Sequence, residues 1–166
     1  MKNKTEDTEL EIRENADKSE EKINQDMKKK TNELIKEFRK QVGGLGYSSL
    51  KVNNTVVTNS IDYYCIKLSA YMSQADGYEV NYFYTIDKKT GQVIKLTDLF
   101  KKDSQYVDVI TKDIKKQMKK KMKGNSQYKY FIDEEEKYTT FEKIDENQQF
   151  YINNSGELVI CFAEGD

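Results

Sequence analysis

Between Val80 and Phe100 the chain reads VNYFYTIDKKTGQVIKLTDLF, and few folds can accommodate that stretch. Val80, Tyr82, Tyr84 and Ile86 alternate with Asn81, Phe83, Thr85 and Asp87, the two-residue period of a strand with one face buried. Asp87-Lys88-Lys89-Thr90-Gly91 supplies a turn, with Gly91 able to take the positive φ that other residues resist. Gln92 to Leu96 carries two β-branched residues and is too short for a helix, so it is the returning arm. Thr97 and Asp98 are helix-capping types, and Leu99 and Phe100 are apolar anchors for the turn. The stretch predicts a β-hairpin leading into a helix.

The neighbouring segments extend that unit into a sheet. Ile61 to Ser73 alternates, with Tyr64, Ile66, Leu68, Ala70 and Met72 on one face and Tyr63, Cys65, Lys67, Ser69 and Tyr71 on the other. Gln74-Ala75-Asp76-Gly77 turns it back into Tyr78 to Asp87, and Ser49 to Thr58 reads as a strand before it. Two helices flank this meander. In Ile23 to Val42, Ile23, Met27, Leu34, Ile35, Phe38 and Val42 recur at helical intervals, and Gly43-Gly44 ends the run. A second helix, capped by Asp103 or Ser104, runs to Lys123 with Tyr106, Val107, Ile110, Ile114, Met118 and Met122 inward. Tyr128 to Phe141, with the acidic run Asp133 to Glu136, reads as irregular or short-helical. Thr139 or Thr140 then caps a short helix holding Phe141 and Ile144, and Gln149 to Phe162 forms a last hairpin. The prediction is α+β: an antiparallel β-sheet meander packed by an N-terminal helix and a long central helix. It divides into a flexible or weakly helical polar lead-in, residues 1–22, and a single sensor or binding domain, residues 23–166.

Composition removes most catalytic chemistry. With no histidine among 166 residues, Ser-His-Asp and Cys-His nucleophiles, histidine bases and histidine metal sites are all excluded. Cys65 and Cys161 lack the spacing of a zinc site, so no metal or cofactor is expected; they read either as buried small hydrophobes or as a bridged pair. Asp76 and Glu79 share one hairpin, but carboxylates are abundant and nothing distinguishes this pair as an acid and base, so no catalytic residue is assigned. Lysines crowd the second half of the central helix. A net charge of −1, a pI near 5.8 and only Arg13 and Arg39 as arginines nevertheless argue against a nucleic-acid partner.

Twelve tyrosines without a tryptophan are the compositional excess that points to binding, because tyrosine offers rigid contact area with a polar tip. Tyr64, Tyr82 and Tyr84 read as core. Tyr63, Tyr71 and Tyr78, with the hairpin tip Ser73, Gln74 and Asp76, are the candidate ligand-binding residues.

The phrases Tyr84-Thr85-Ile86-Asp87, Lys89-Thr90-Gly91 and Leu96-Thr97-Asp98-Leu99-Phe100 resemble the core of a domain of long-unknown function in bacterial extracytoplasmic proteins. Among those proteins are the RsiV-type anti-sigma factors that act as lysozyme receptors. Ile23-Asn24 through Asn32 to Phe38 resembles the helix that precedes this core, and Gly156 to Ile160 through Phe162 resembles its late strand, so the likeness covers roughly Lys22 to Phe162. These motifs are structural, not catalytic. The resemblance implies a non-enzymatic extracellular sensor that binds lysozyme and thereby lets signal peptidase cut a membrane-proximal segment. A sigma factor held by a cytoplasmic region outside this chain would then be released. It places the protein on the outer face of the bacterial cytoplasmic membrane as a single-pass protein of which this chain is a soluble fragment, with residues 1–22 as the stalk. Some proteins with this domain also carry a peptidoglycan deacetylase, chemistry that a chain without histidine does not perform. Family members continue past the equivalent of Phe162 with a proline- and glycine-containing segment that helps form the ligand surface. This chain ends at Ala163-Glu164-Gly165-Asp166, so no ligand residue carries over from there. The alternative function for the same tyrosines is a peptidoglycan-binding module of a wall-associated protein.

Overall fold

The computed structural model describes residues 4–42, 48–73, 77–132 and 140–163, with side chains from residue 11 onward. The fold is α+β. The chain divides into two compact units, Met1–Lys95 with Gln149–Glu164, and Leu96–Gln148 with Gly165–Asp166.

The first unit is built on a four-stranded antiparallel sheet in chain order, β1 (Ser49–Asn59), β2 (Tyr63–Ser73), β3 (Gly77–Asp87) and β4 (Gln92–Ile94). Pairing follows the predicted alternation: Leu68 sits opposite Tyr82, Ile66 opposite Tyr84 and Ile86 opposite Val93. A helix, α1 (Lys4–Val42), buries Ile23, Met27 and Leu34 against that face. They meet Leu68, Ala70, Met72 and Tyr84, with Val52, Tyr82 and Phe38 packed around them. Burying side chains of this size contributes on the order of 1.5–3 kcal/mol each, which makes this the main hydrophobic layer.

The helix extends beyond the segment that periodicity marked. It begins at Lys4 and runs without a break through Lys22 into Ile23. Its inward stripe continues N-terminally as Ser19, Ala16 and Ile12, at the same spacing as Ile23, Met27 and Leu34, with small side chains at Ser19 and Ala16. That smallness is functional in packing terms. Gly91, at φ +70°, lies so close that an added Cβ would stand 2.5 Å from the Ile12 carbonyl oxygen and 2.7 Å from the Ala16 nitrogen. The Ser19 hydroxyl donates to the Gly91 carbonyl at 2.7 Å. A second polar tie lies further along, where Tyr84 Oη donates to Asp26 Oδ2 at 2.7 Å and the Lys30 ammonium stands 4.3 Å from the centre of the Tyr82 ring.

The other sheet face is partly covered by a two-stranded hairpin, β5 (Phe150–Ile152) and β6 (Leu158–Ile160). A β-bulge between Val56 and Thr58 resets the phase of β1, so Thr58 faces this side and donates its hydroxyl to the Ile152 carbonyl at 2.6 Å. Gln149 Oε1 accepts from the Phe83 N–H at 2.7 Å, and the Phe83 and Tyr151 rings stack with centroids 5.3 Å apart. Cys65, with no solvent exposure, lies on this covered face, and its sulfur accepts a hydrogen bond from the Thr85 hydroxyl. Both Cys65 and Cys161 are free thiols, so they are not bridged.

The second unit opens with a 3-10 turn at Leu96–Leu99, in which Leu96 rather than Leu99 or Phe100 is the buried anchor. Phe100 stacks on Tyr106 at 4.6 Å. The central helix, α2 (Tyr106–Gly124), has Gln105 at its N-cap with no side-chain capping bond. Asp103, expected as a cap, instead takes φ 62° in the preceding turn, too early in the chain to reach the first free amides. The short helix expected around Phe141 and Ile144 does not form in the described residues 140–144. That irregular segment docks instead, its Ile144 buried and the Ile144 N–H donating to Thr111 Oγ1 at 3.2 Å. The acidic run Asp133 to Glu136 and Thr139 lie outside the described residues.

Candidate binding site

The candidate residues divide between the two ends of the sheet. Ser73 and Gly77 close the β2–β3 hairpin as a pair, Met72 faces Tyr78, and Tyr71 faces Glu79. Tyr71 and Tyr78 are 44% and 39% exposed, unusually open for rings on a sheet, and they emerge on opposite faces because their register positions differ by one. Tyr78 lies on the α1 side and its hydroxyl contacts the Met72 sulfur at 3.1 Å. The Tyr71 ring folds over Gly77, occupying the space a Cβ would take there. On the Tyr71 face, one pair further in, the Asn81 side-chain oxygen is buried without a hydrogen-bond partner among the described residues. Gln74 and Asp76 lie outside the described residues. Glu79, once weighed as half of an acid–base pair with Asp76, is therefore placed without its counterpart.

Tyr63 stands elsewhere. It opens β2 opposite Asp87, eight residues from Tyr71 along a strand that rises ~3.3 Å per residue, so about 26 Å separates them. There it helps to line a cavity of about 680 Å³ with residues 56–59 at the end of β1, 60–62 of the β1–β2 turn and 154–156 of the β5–β6 turn. The turn is firmly built. Lys88 Nζ donates to Asn59 Oδ1 and to the Ser60 carbonyl at 2.7 and 2.6 Å, and Lys89 pairs with Asp62 at 2.8 Å. At its crown Ile61 is 93% exposed and Val56, nearby, 53%. Sequence reasoning assigned Ile61 to the strand. The available signal was a single large apolar side chain set in the polar run Asn59-Ser60-Ile61-Asp62.

Electrostatics in this unit follow burial. Desolvation pushes the Tyr84 hydroxyl well above its ordinary value, and the hydrogen bond and charge of Asp26 add to it. Tyr82 is raised by burial first and then by Glu37, Glu33 and Asp26. Burial also raises the Cys65 thiol, and Cys161 is pushed up to about 11, again mainly by desolvation. Thiols held protonated are poor nucleophiles, so neither cysteine is an activated group. Among the described residues no cluster of three or more metal-ligating side chains forms.

Over 144 residues, 86% of the chain, the sequence is 34% identical to anti-sigma-V factor RsiV of Bacillus subtilis strain 168. This is an RsiV-like domain. It spans half the length of that curated relative. The family described as a protein of unknown function, DUF3298, matches residues 97–166, which takes in α2 and the β5–β6 hairpin. No described helix of the RsiV-like domain is long and apolar enough to cross a membrane.

Proposed function

We propose that this RsiV-like domain is the ligand-sensing part of an anti-sigma factor, displayed on the outer face of the bacterial cytoplasmic membrane, with lysozyme as its ligand. The match to an anti-sigma factor along 86% of the chain carries this reading. The domain is non-catalytic in this role. Its partners beyond the ligand are signal peptidase, acting on the membrane-proximal segment, and a sigma factor bound by a region outside this chain.

The packing of α1 supports a specific mechanism. The N-terminal half of the helix is fixed to the β3–β4 turn through the Ser19–Gly91 bond and the close approach of Gly91 to Ile12 and Ala16, with only small side chains at Ala16 and Ser19. A segment held this way opens more readily than one held by a hydrophobic stripe, such as Ile23 to Leu34. Docked, its backbone is helical and unsuited to an extended-chain protease; released, it becomes a substrate. Lysozyme drives release only if it binds the released state more tightly, since a ligand with equal affinity for both shifts nothing.

Calorimetric titration of the chain with lysozyme at two salt concentrations tests the reading. Saturable binding that persists at the higher salt is expected, with Tyr71→Ala and Tyr78→Ala each weakening it by about 1–3 kcal/mol if the hairpin end is the contact. Absence of binding overturns the lysozyme assignment. Binding instead to insoluble wall, competed away by free glycan, would establish the peptidoglycan-binding alternative.

A further inference from the structure

A long groove runs beside α2 in the second unit, with a volume of about 860 Å³. Lys112, Lys116, Lys120 and Lys123 form one wall. Lys143 and Glu142 form the other, on the segment that is pinned to α2 by buried Ile144 and its bond to Thr111. Both walls are therefore fixed by packing within the unit. Among the described lining residues there are seven lysines and two carboxylates, and Thr111 is the single uncharged one. We propose that this groove binds a linear phosphodiester polymer of polyol-phosphate type.

The chemistry selects the ligand class. Successive lysines at four-residue intervals recur every ~6 Å along a helix, a spacing suited to repeated charges on an extended chain rather than to one compact anion. Asp108 lies about three helical turns from Lys120, so along the helix wall the groove becomes more basic toward the C-terminus. Lys112, Lys116 and Lys120 on one helix side repel one another, and a bound polyanion relieves that repulsion. Lysine binds phosphate as a mobile point charge. A carboxylate-rich peptide is better matched by the planar fork of arginine, and none is among the described lining residues. Among the described lining residues there is no aromatic ring to stack a base and no large apolar side chain to anchor a peptide or enter a bilayer. These features favour a flexible chain recognised through regularly spaced charge. This inference is independent of the lysozyme reading, because it uses neither end of the sheet.

Fluorescence anisotropy of a labelled synthetic poly(glycerol phosphate) with the full chain tests it. Lys112→Gln/Lys116→Gln/Lys120→Gln is compared with Lys28→Gln/Lys36→Gln/Lys40→Gln, which removes the same charge from the exposed side of α1. The α2 variant is expected to bind about tenfold more weakly at low salt, and its slope of log affinity against log salt should fall by about 2, at ~0.7 per lost contact for a single-stranded polyanion. The α1 variant should match the parent chain. Equal weakening in both variants would reduce the effect to net charge and overturn the site. Oligothymidylate or polyglutamate of equal charge binding as tightly as the probe would overturn the ligand class, as would no binding at low salt. Lysozyme titration of the α2 variant should be unchanged, which separates failure here from failure of the sensor reading.

Discussion

Gly91 and Gly156 both take positive φ, +70° and +81°, yet they face different surroundings. Nothing lies within 4 Å of a Cβ built on Gly156, whereas on Gly91 it meets the α1 backbone at 2.5 and 2.7 Å. Gly156→Ala should therefore cost only the left-handed penalty, about 1–2 kcal/mol. Gly91→Ala adds displacement of a helix backbone, for a total of about 2–5 kcal/mol with overpacking included. Urea denaturation of the two variants measures the difference, and equal losses would mean that α1 does not press on the turn. The Tyr84 hydroxyl and the half-buried Cys161 thiol both weaken the fold at alkaline pH. Cys161 is raised from 9.0 to about 11, so above pH 9 the unfolded chain loses its proton first and binds fewer protons than the folded one. Stability due to this group is complete below pH 9 and falls as pH rises toward 11; Tyr84 extends the loss above 10, in the same direction. Denaturation midpoints at about pH 8 and about pH 10.5 should differ, and Cys161→Ala should reduce the difference.

At the scale of elements, α1 is one helix with two kinds of interface. Its C-terminal half carries Ile23, Met27 and Leu34 into the sheet, and truncating Ile23 or Leu34 to alanine should cost about 2–5 kcal/mol by opening a cavity. Ser19→Ala removes one buried hydrogen bond and should cost about 1 kcal/mol. Its larger effect should be local, seen as faster amide exchange in residues 4–19 with exchange in β2 and β3 unchanged; uniform acceleration would show that the helix opens only as a whole. The periodicity of Ile23 to Val42 was legible because large apolar residues mark it. The preceding turns were not, because Ala16 and Ser19 fit the stripe through smallness, a property that hydrophobic patterning does not weigh. The sheet order and the positions of its turns followed from alternation in 61–87 and the Asp87–Gly91 turn, since a two-residue period admits one inward face. The cap of α2 and the segment around Ile144 did not. Capping types were present in both, but Thr111, a partner more than thirty residues distant, decided where the second would dock.

On the scale of the whole molecule, binding at the sheet must reach α1 for the proposed signal to operate. Saturating lysozyme should lower amide protection in α1 residues 4–19; increased protection there would reverse the proposed direction of the switch. The candidate residues chosen from composition were brought together only in part. Tyr71, Tyr78 and Ser73 share the β2–β3 end, and Tyr63 went to the other end with Ile61 and Val56, since residues eight apart on one strand cannot share a small site. Sequence by itself determined the α+β class, the antiparallel meander, the alternating faces of residues 61–73 and 80–87 and the absence of histidine chemistry. Those properties rest on local periodicity and on side-chain inventory, which need no knowledge of what lies across the fold. Tertiary structure alone decided that α1 reaches back to Lys4, that the β1 bulge aims Thr58 at Ile152, that the two thiols stay unbridged and that the lysines of α2 face a second wall. Each depends on a partner brought near by folding, and no local pattern encodes the distance to it.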